Sequence, residues 1–291
     1  MKKIRNLLLL IAASCVLLSV PVTASAAGSS VQAAKALKQG LKKEGSKYCY
    51  YVNGKKACNT WKTVNGRKYY FNSKGYAVVY SAKISGKIYV FQLNGQLVKP
   101  AKNSIVQVGK YSYYVNKNGQ ASTGWLLINK KLYYADSLGR FYKNKTYQGV
   151  TFTNTGAAKS NTASKLKIKT MGIVSSITKS GMTKSQKLKA CWNYMVNTSR
   201  FRYWPYYPNL NKKGWHKETA LNILTNYRGN CYGFACGFAA LASEVGYNPY
   251  VICGRVDGSR DQAADGMTRH CWVKIDGRYY DPEAQVRREV A

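Results

Sequence analysis

Three residues in the last third of the chain, Cys231, His270 and Asp281, have side chains suited to acyl-transfer chemistry. A cysteine thiolate can attack an amide carbonyl, and a histidine can take the proton from the thiol. A carboxylate beside the histidine fixes its tautomer and stabilises the imidazolium. The chain contains only two histidines, so the Cys–His–Asp order is less easily accidental. By position alone, Cys231 can equally be a buried packing residue or one half of a disulfide.

The sequence around Cys231 predicts a helix that begins at this residue. In "RGNCYGFACGFAALASEVGY", apolar side chains recur at helical spacing, and Gly246 is a typical helix stop. Gly229 and Asn230 break the preceding chain, and Asn230 is a good N-cap residue. Cys231 is therefore expected in the first turn, where the helix dipole and free backbone amides favour a thiolate. The same amides can stabilise an oxyanion.

The other two residues fall on a predicted β-hairpin. The segment "RHCWVKIDGRYYDPEA" turns around Asp276-Gly277, a two-residue turn signal. His270 lies on the first strand, on the same face as Trp272, and Asp281 ends the second, so His270 and Asp281 are expected almost opposite each other. The preceding segment "YVICGRV", residues 250–256, is predicted to be a strand.

The first half of the chain is repetitive. Five segments share aromatic residues, a short polar turn, a glycine and then a basic or small stretch; they are "KYCYYVNGKK", "GRKYYFNSKGYAV", "GKIYVFQLNGQLV", "GKYSYYVNKNGQAS" and "KKLYYADSLGRFY". The glycines at positions 75, 95, 119 and 139 are 20, 24 and 20 residues apart. Residues 149–158 resemble a degenerate final copy of the repeat. Aromatic residues that close on an Asn/Gly turn indicate hairpins. A period near 20 residues predicts a stack in which each hairpin buries its aromatic face on its neighbours.

The first repeat contains two cysteines that can form a disulfide. If Asn53-Gly54 is a two-residue turn, Cys49 lies opposite Cys58 at a non-hydrogen-bonded pair, where the Cα atoms come close enough for a bridge. An exported protein permits this bridge, and we predict it. It leaves an odd number of cysteines beyond Cys15, so at least one thiol is unpaired, and Cys231 is the natural free one. The pairing of the others stays open: Cys191, Cys236, Cys253 and Cys271.

The chain is strongly basic and begins like an exported protein. Its formal net charge is +35, and residues 28–180 hold 27 Lys and Arg against two acids, Glu44 and Asp136. A basic start, a short apolar run and an Ala24-Ser25-Ala26 site are typical of a signal peptide cleaved near Ala26. No later segment approaches a membrane span. We therefore predict a secreted, cell-wall-associated protein whose basic half binds wall polyanions or glycans rather than nucleic acid.

The C-terminal motifs resemble a known superfamily. "GNCYGFACGFAALASEVGY", "RHCWVKIDGRYYDPE" and a helix that begins at the capping box Thr183–Gln186 are together similar to the transglutaminase-like superfamily, relatives of the papain-like thiol enzymes. The resemblance implies that Cys231 is the nucleophile, His270 the general base and then acid, and Asp281 the orienting carboxylate. It implies a second oxyanion donor upstream, for which Trp215 is the candidate. After Asp281 the resemblance leads us to expect further strand and aromatic sequence, where this chain has "EAQVRREVA".

The repeats resemble the cell-wall-binding repeats, choline-binding-like or glucan-binding-like, of Gram-positive surface proteins. In that family, aromatic cages from neighbouring hairpins hold choline by cation–π attraction. The segment "TGWLL" keeps the family's Gly-Trp pair, whereas the other copies depart from it. The resemblance implies these wall-binding candidates: Trp61, Tyr70, Tyr114, Trp125 and Tyr134. The alternative is that the tyrosines mostly form the core of the hairpins.

These features predict an α+β transglutaminase-like or papain-like domain preceded by an all-β stack of hairpin repeats. The predicted organisation is a signal peptide at 1–26, a short helical or flexible spacer at 27–46 and repeats at 47–157. A linker rich in Ser, Thr, Ala and Lys follows at 158–180, and the C-terminal domain occupies 181–291.

The predicted function is that of an exported, cell-wall-associated thiol acyl-transfer enzyme with a protein or peptide substrate. Cys231 would form a thioester from a peptide or side-chain amide, which water resolves in a peptidase or amidase and an amine resolves in a transglutaminase. Hydrolysis is favoured because no water-excluding lid is evident. The alternative is a non-catalytic wall- or glycan-binding module with a degenerate transglutaminase-like domain. We predict no cofactor and no metal; the competing interpretation, a zinc site of His270 and the cysteines, lacks a Cys-x-x-Cys pair.

Overall fold

The computed structural model describes residues 37–290, with side chains up to residue 286. The predicted signal peptide and residues 27–36 of the predicted spacer lie outside this range. The described chain begins with β-hairpins and continues with mixed α and β structure, which confirms the predicted fold class. Among residues 37–290, no helix has the length and apolar character needed to cross a bilayer.

The N-terminal part consists of short antiparallel ladders. A three-stranded sheet comes first, made of β1 (Gly40–Glu44), β2 (Lys47–Val52) and β3 (Lys55–Lys56). Five two-stranded hairpins follow: β4 (Thr60–Val64) with β5 (Arg67–Phe71), β6 (Tyr80–Ile84) with β7 (Lys87–Phe91), β8 (Ser104–Val108) with β9 (Tyr111–Val115), β10 (Gly124–Ile128) with β11 (Lys131–Ala135), and β12 (Thr146–Tyr147) with β13 (Val150–Thr151). The prediction of a helical or flexible spacer is wrong over β1, because pairing with β2 holds this lysine-rich segment in an extended conformation.

The aromatic pattern pointed to the turn that follows each aromatic strand. In the hairpins from β4–β5 to β10–β11, the closing turn instead precedes the aromatic strand. Asn65-Gly66 joins β4 to β5, whereas the later turn at Asn72–Gly75 lies beyond the ladder. The periodic glycines occupy this later turn with φ between +74° and +82°. A Cβ atom at Gly139 would lie 2.6 Å from the Cβ of Ala121 in the preceding repeat. Glycine therefore serves both the left-handed backbone and the close stacking of repeats.

Neighbouring repeats are joined through the backbone. The N–H of Leu97 donates to the C=O of Lys68 at 2.8 Å, and the N–H of Phe141 donates to the C=O of Ser112 at 2.9 Å. Side chains on each aromatic strand alternate between two faces, as a strand requires. The first residue of three Tyr-Tyr pairs is buried in the stack, and the second is only half-buried; the buried ones are Tyr69, Tyr113 and Tyr133.

The C-terminal part has a central helix covered on all sides. Its elements are α1 (Thr162–Ile177), α2 (Lys184–Met195), β14 (Arg202–Tyr203), α3 (Trp215–Asn226), β15 (Arg228–Gly229), α4 (Cys231–Glu244), β16 (Tyr250–Asp257), β17 (Met267–Ile275), β18 (Arg278–Tyr280) and α5 (Pro282–Val290). The antiparallel sheet β16-β17-β18 packs on α4, and the other helices surround it. Residues 231–239 of α4 are all buried, because the helix is apolar around most of its circumference.

The predicted linker at 158–180 is wrong, because it contains α1. Asn161 and Ser164 form a reciprocal capping box at its start. One stripe of α1 packs on the C-terminal core through Ile173, and another packs on the last hairpin near Phe152. Buried Thr170 donates a hydrogen bond of 2.8 Å to the carboxylate of Glu244 on α4. The Ser-, Thr- and Lys-rich composition gave no signal for this helix, which contacts both halves of the protein.

Candidate active site

Cys231 is the first residue of α4. Asn230 precedes it with an extended backbone, as an N-cap residue does, but its side chain makes no capping hydrogen bond. The short parallel ladder β14–β15 ends at Gly229 and fixes the entry of the chain into the helix. The side chain of Cys231 is buried, and the first-turn amides beside it have no acceptor within the helix. Cys231 therefore lies at the start of a helix, as the sequence predicted.

The hairpin of β17 and β18 places His270 and Asp281 together. The predicted turn at Asp276-Gly277 sets the register, with Ile275 opposite Arg278. His270 Nε2 lies 2.5 Å from Asp281 Oδ2. Asp281 Oδ1 also accepts a hydrogen bond of 3.0 Å from the N–H of Ala284, in the first turn of α5. The carboxylate is thus held between the histidine and a helix N-terminus.

The electrostatics of the pair favour the imidazolium–carboxylate state. The hydrogen bond with Asp281, followed by the effect of the neighbouring Cys231 thiol, raises the pKa of His270 to about 10, against the opposing effect of burial. Burial acts to raise the pKa of Asp281, but hydrogen bonds from His270 and Ala284 outweigh it and hold that pKa below its usual value. A histidine poised in this way can accept and return a proton.

Two further charged residues reach the site, and the sequence pattern did not identify them. Glu283 is fully buried, and its Oε2 lies 3.7 Å from His270 Nδ1 and 3.6 Å from a guanidinium nitrogen of Arg260. Cys231 Sγ, a ring nitrogen of His270 and a carboxylate oxygen of Glu283 lie within 4.8 Å of one another. Arg260 also interacts with the Cys231 thiol. The sequence signal that could have identified Glu283 is the order Asp-Pro-Glu, which is typical of a helix start. A helix that begins here directs Glu283 towards His270.

Helix α5 replaces the further strand expected after Asp281. Val286 of α5 is buried in the core around α4, and Glu283 faces His270. The expectation of strand sequence is wrong for the described residues, because Pro282 at the first helical position favours a helix instead.

Trp215, the candidate oxyanion donor, lies in the first turn of α3. Its ring is 6.2 Å from that of Tyr232 and packs against the C-terminal core. An oxyanion role for Trp215 stays a prediction. Two other aromatic side chains approach the charged cluster. The ring of Tyr203 on β14 is 5.8 Å from the Arg260 guanidinium, and the ring of Trp272 stacks on His270 at 6.0 Å.

The predicted Cys49–Cys58 disulfide is absent from the structure. The ladder of the first hairpin has the predicted register, with Tyr51 opposite Lys56, but Cys58 leaves it and its thiol donates to the C=O of Lys56. Cys49 points to Glu44 on β1, which the sequence pattern did not recognise as a strand. All seven cysteines between residues 37 and 286 are free thiols.

The wall-binding candidates form two aromatic clusters of similar geometry. The ring of Trp61 lies 5.2 Å from Tyr70 and 5.0 Å from Tyr89. The ring of Trp125 lies 5.1 Å from Tyr134 and 5.9 Å from Tyr147. Tyr114 packs instead against the small core around Tyr133.

The two aromatic clusters differ in their cationic neighbours. Lys167 Nζ of α1 lies 5.0 Å from the centre of the Trp125 ring and also pairs with Glu244 at 2.9 Å. The Trp125 cluster therefore already has an internal cation near its tryptophan. A cavity of about 680 Å³ is lined by Trp125, by Val150 of the last hairpin and by Glu244 of α4.

Comparisons with known proteins agree with an α+β domain that follows aromatic hairpin repeats. Residues 172–281 match the sequence description of the Transglutaminase-like superfamily, and residues 59–77 and 123–141 match that of the Putative cell wall binding repeat. Both resemblances inferred from the sequence are confirmed, with the repeats N-terminal to the transglutaminase-like domain. The combination supports a cell-wall-associated protein.

Several solved structures are similar to part of this chain. CbpF in complex with ipratropium is 30% identical over 42% of this chain and 39% of its own, with a TM-score of 0.30. The Cpl-1 endolysin complexed with a peptidoglycan analogue is 26% identical over 43% of this chain and 38% of its own, with a TM-score of 0.32. Truncated alternansucrase from Leuconostoc mesenteroides is 30% identical over 41% of this chain and 11% of its own, with a TM-score of 0.28. The chain spans less than half the length of each. No curated protein sequence matches it.

Proposed function

We propose that the C-terminal domain is a thiol acyl-transfer enzyme that acts on peptide or side-chain amides. The observation that carries this proposal is the 2.5 Å contact of His270 Nε2 with Asp281, with the Cys231 thiol next to the same imidazole. Nucleophile, base and orienting carboxylate are then neighbours in the order that thiol catalysis requires.

The reaction follows from these positions. His270 takes the thiol proton, and the thiolate of Cys231 attacks the amide carbonyl. The N–H groups at the start of α4 have no intrahelical acceptor and stabilise the resulting oxyanion. The imidazolium returns its proton to the leaving amine, which leaves a thioester on Cys231. Water or a second amine, deprotonated by His270, then releases the acyl group.

Asp281 keeps His270 in the required orientation throughout. Its hydrogen bonds to His270 and Ala284 fix the carboxylate before substrate arrives, so little reorganisation is needed during the reaction. The side chain of Asp281 is 32% exposed, so water reaches the edge of the pair. This exposure favours hydrolysis, hence a peptidase or amidase, over transamidation.

The repeats would bring this domain to its substrate. The protein is exported and held at the cell wall, where the basic, aromatic hairpins bind anionic polymers or glycans. Both acids of residues 28–180 are already paired, Glu44 with Lys56 at 2.8 Å and Asp136 with Arg140 at 2.8 Å. The remaining cationic side chains thus outnumber local partners and favour a polyanion. The substrate class is a protein or peptide present at the wall.

The rate of Cys231 alkylation by iodoacetamide, followed against pH by peptide mass spectrometry, tests the catalytic part. We expect rapid alkylation at a pH well below about 8.5, where an ordinary thiol ionises. His270→Ala should abolish this low-pH reactivity. The control His216→Ala, which changes an exposed histidine on α3, should retain it.

An inert Cys231, or one indifferent to His270→Ala, would contradict the proposal. In that case the repeats would be the working part of the protein, as a wall-binding module. A small reagent is required because the cysteine is 1% exposed.

A further inference from the structure

The cluster of Cys231, His270 and Glu283 contains one residue that thiol catalysis does not need. Asp281 already orients the imidazole through Nε2, so Glu283, buried on the Nδ1 side, adds a second carboxylate. A buried carboxylate is costly unless a charge or hydrogen bond compensates it. The three side chains supply sulfur, nitrogen and oxygen ligands within 4.8 Å of one another.

We propose that Cys231, His270 and Glu283 bind a zinc ion, and that the bound ion blocks the nucleophile. The inference concerns regulation of the proposed catalytic site and rests on that proposed function for its biological meaning. The ion is an inhibitory ligand that competes with the thiol chemistry. Its binding through the three side chains can be measured without any substrate.

The donor set and spacing fit zinc. Catalytic-type zinc sites use three protein ligands drawn from Cys, His and carboxylates, plus a water. Tetrahedral bonds of about 2.0–2.3 Å place donor atoms roughly 3.3–3.8 Å apart. His270 Nδ1 and Glu283 Oε2 are 3.7 Å apart, so an ion fits between them with little movement.

The surroundings of His270 also fit a metal ligand. A ligating histidine commonly donates its other ring N–H to a carboxylate, which fixes the tautomer. Asp281 occupies that position at Nε2, at 2.5 Å. The Nδ1 atom is buried and has no hydrogen-bond partner among the described residues. It therefore points towards Glu283 with its lone pair available once the imidazole is neutral.

The charges balance for a divalent ion. Asp281, Glu283 and a Cys231 thiolate contribute three negative charges, and Arg260, 3.6 Å from Glu283, contributes one positive charge. A neutral His270 leaves a net charge of minus two, which one zinc ion neutralises. The single proton shared by thiol and imidazole is released to solvent. With zinc bound, the sulfur lone pair is engaged and the base has no free nitrogen.

Cobalt(II) is the spectroscopic probe for this site. The reduced, metal-free protein is titrated with cobalt chloride under anaerobic conditions. We expect a thiolate-to-cobalt charge-transfer band in the near ultraviolet and intense visible bands of tetrahedral cobalt, both removed by one equivalent of zinc. Cys231→Ser should remove the charge-transfer band. Glu283→Gln, and Glu283→Asp as a second variant that keeps the charge, should weaken affinity by more than the ~10–100-fold typical of losing an outer-shell partner.

A rival site for a soft metal exists at Cys253 and Cys271, whose sulfurs are 3.5 Å apart. Cys253→Ala is therefore the matched control and should leave the cobalt spectrum unchanged. A charge-transfer band that survives Cys231→Ser, or that is lost in Cys253→Ala, would overturn the proposal. So would the absence of a band at stoichiometric cobalt, or equal affinity in native protein and the Glu283 variants with a native circular dichroism spectrum.

Protection from alkylation separates this inference from the proposed function. Zinc should slow iodoacetamide modification of Cys231 in the native chain and protect less in Glu283→Gln, each compared with the same variant without zinc. A normal low-pH reactivity without zinc protection would support the enzyme and reject the metal site. A cobalt spectrum on a thiol that is otherwise inert would support the metal site and reject the enzyme.

Discussion

The Nε2 atom of His270 lies 2.5 Å from Oδ2 of Asp281, although the two residues belong to a strand and to the start of a helix. The hairpin register places Asp281 just past the last ladder pair, Val273 with Tyr280, and two positions away from facing His270 directly. The N–H of Ala284 holds the carboxylate from the far side at 3.0 Å. Asp281 therefore ends one element, begins the next and orients the histidine. Its removal should affect the reactivity of the thiol more than the fold.

Asp281→Asn tests this separation. Asparagine is also a good N-cap residue, so its side chain can still accept the hydrogen bond from Ala284, but it cannot stabilise an imidazolium by charge. We expect the alkylation rate of Cys231 at pH 6 to fall by roughly 10- to 300-fold, the upper bound being set by the ~0.3% of an ordinary thiol that is ionised at that pH.

Asp276→Asn is the matched control for this substitution. Asp276 lies at the turn of the same hairpin, is exposed and has a φ of 47°, which asparagine tolerates well. The alkylation rate of this control should equal that of the native chain. Equal loss in both variants would show that the hairpin, not the carboxylate, determines reactivity.

The raised pKa of His270 predicts a pH-dependent stability. Asp281 and Cys231 raise this pKa to about 10, so the folded state holds the proton more tightly than the unfolded state, where the pKa is about 6.5. The stabilisation is fully present below about pH 6.5 and is lost as the pH rises towards 10. Relative to His270→Gln, native stability should decrease over this window by at most ~1.4 kcal/mol per pH unit.

Urea unfolding of both proteins at intervals between pH 6 and pH 10 measures this difference. His216→Gln serves as the control, because His216 lies outside the cluster. Burial lowers the pKa of His216, so its stability difference from the native chain should rise slightly near pH 6 to 7 and stay flat at higher pH. A stability difference for His270→Gln that grows with pH has the wrong sign and would reject the imidazolium–carboxylate pair.

The elements with strong local signals could be predicted from the sequence. Helix α4 has an apolar run that starts after Gly229-Asn230 and stops at Gly246, and the structure has φ +90° at that glycine. The Asp276-Gly277 turn fixed the register that brings Asp281 close to His270. In both cases the signal lies within about 20 residues, so local pattern was sufficient.

The missed features depend on contacts between distant segments. Helix α1 buries Thr170 against Glu244. This contact is polar, so it leaves no apolar periodicity in the sequence. Strand β1 is held by its pairing with β2, and its own sequence is mostly Gly and Lys. Arg260 lies on a loop and meets Glu283 only through the fold. A single sequence gives no signal for such pairs.

Cys253 and Cys271 should form a disulfide in an oxidising medium. Their Cα atoms are directly opposite across β16 and β17, and their sulfurs are 3.5 Å apart. A disulfide needs Cβ atoms about 3.5–4.5 Å apart, and directly opposite strand positions hold them about 4.5–5.5 Å apart, so a small approach of the two strands closes the bridge. Oxidised glutathione should take up the two electrons and release two glutathione thiols, leaving the protein two daltons lighter with two fewer maleimide-reactive thiols.

Cys253→Ala controls for the identity of this pair. In this variant Cys271 should stay reduced or carry a glutathione, and no intramolecular bridge should form. Peptide mapping that instead finds Cys271 bridged to Cys236 or Cys231 would reject the assignment. Helix α4 carries both of those alternative partners, so their bridging would require movement of the helix against the sheet.

The two aromatic clusters of the repeats should differ in their response to a quaternary ammonium ion. Trp61 with Tyr70 and Tyr89 has ring spacings similar to those of the Trp125 cluster, but Lys167 lies 5.0 Å from the Trp125 ring. The positive charge of Lys167 repels a cation that approaches the Trp125 ring from solution. If choline binds the repeats, Trp61→Ala should weaken binding by about 2- to 30-fold, the range of a cation–π contact of 0.5–2 kcal/mol, and Trp125→Ala should weaken it less.

Titration of choline by calorimetry, at low and at high salt, measures these affinities. Trp204→Ala, which removes an exposed tryptophan of the C-terminal domain, should bind choline like the native chain. Both Trp61 and Trp125 also pack within the stack, so each variant is first shown to keep the native far-ultraviolet spectrum. An equal loss in Trp61→Ala and Trp125→Ala would show that Lys167 does not screen its cluster. Unchanged choline binding in Trp61→Ala would exclude that cluster as the site, because its tryptophan supplies the strongest aromatic face for a cation.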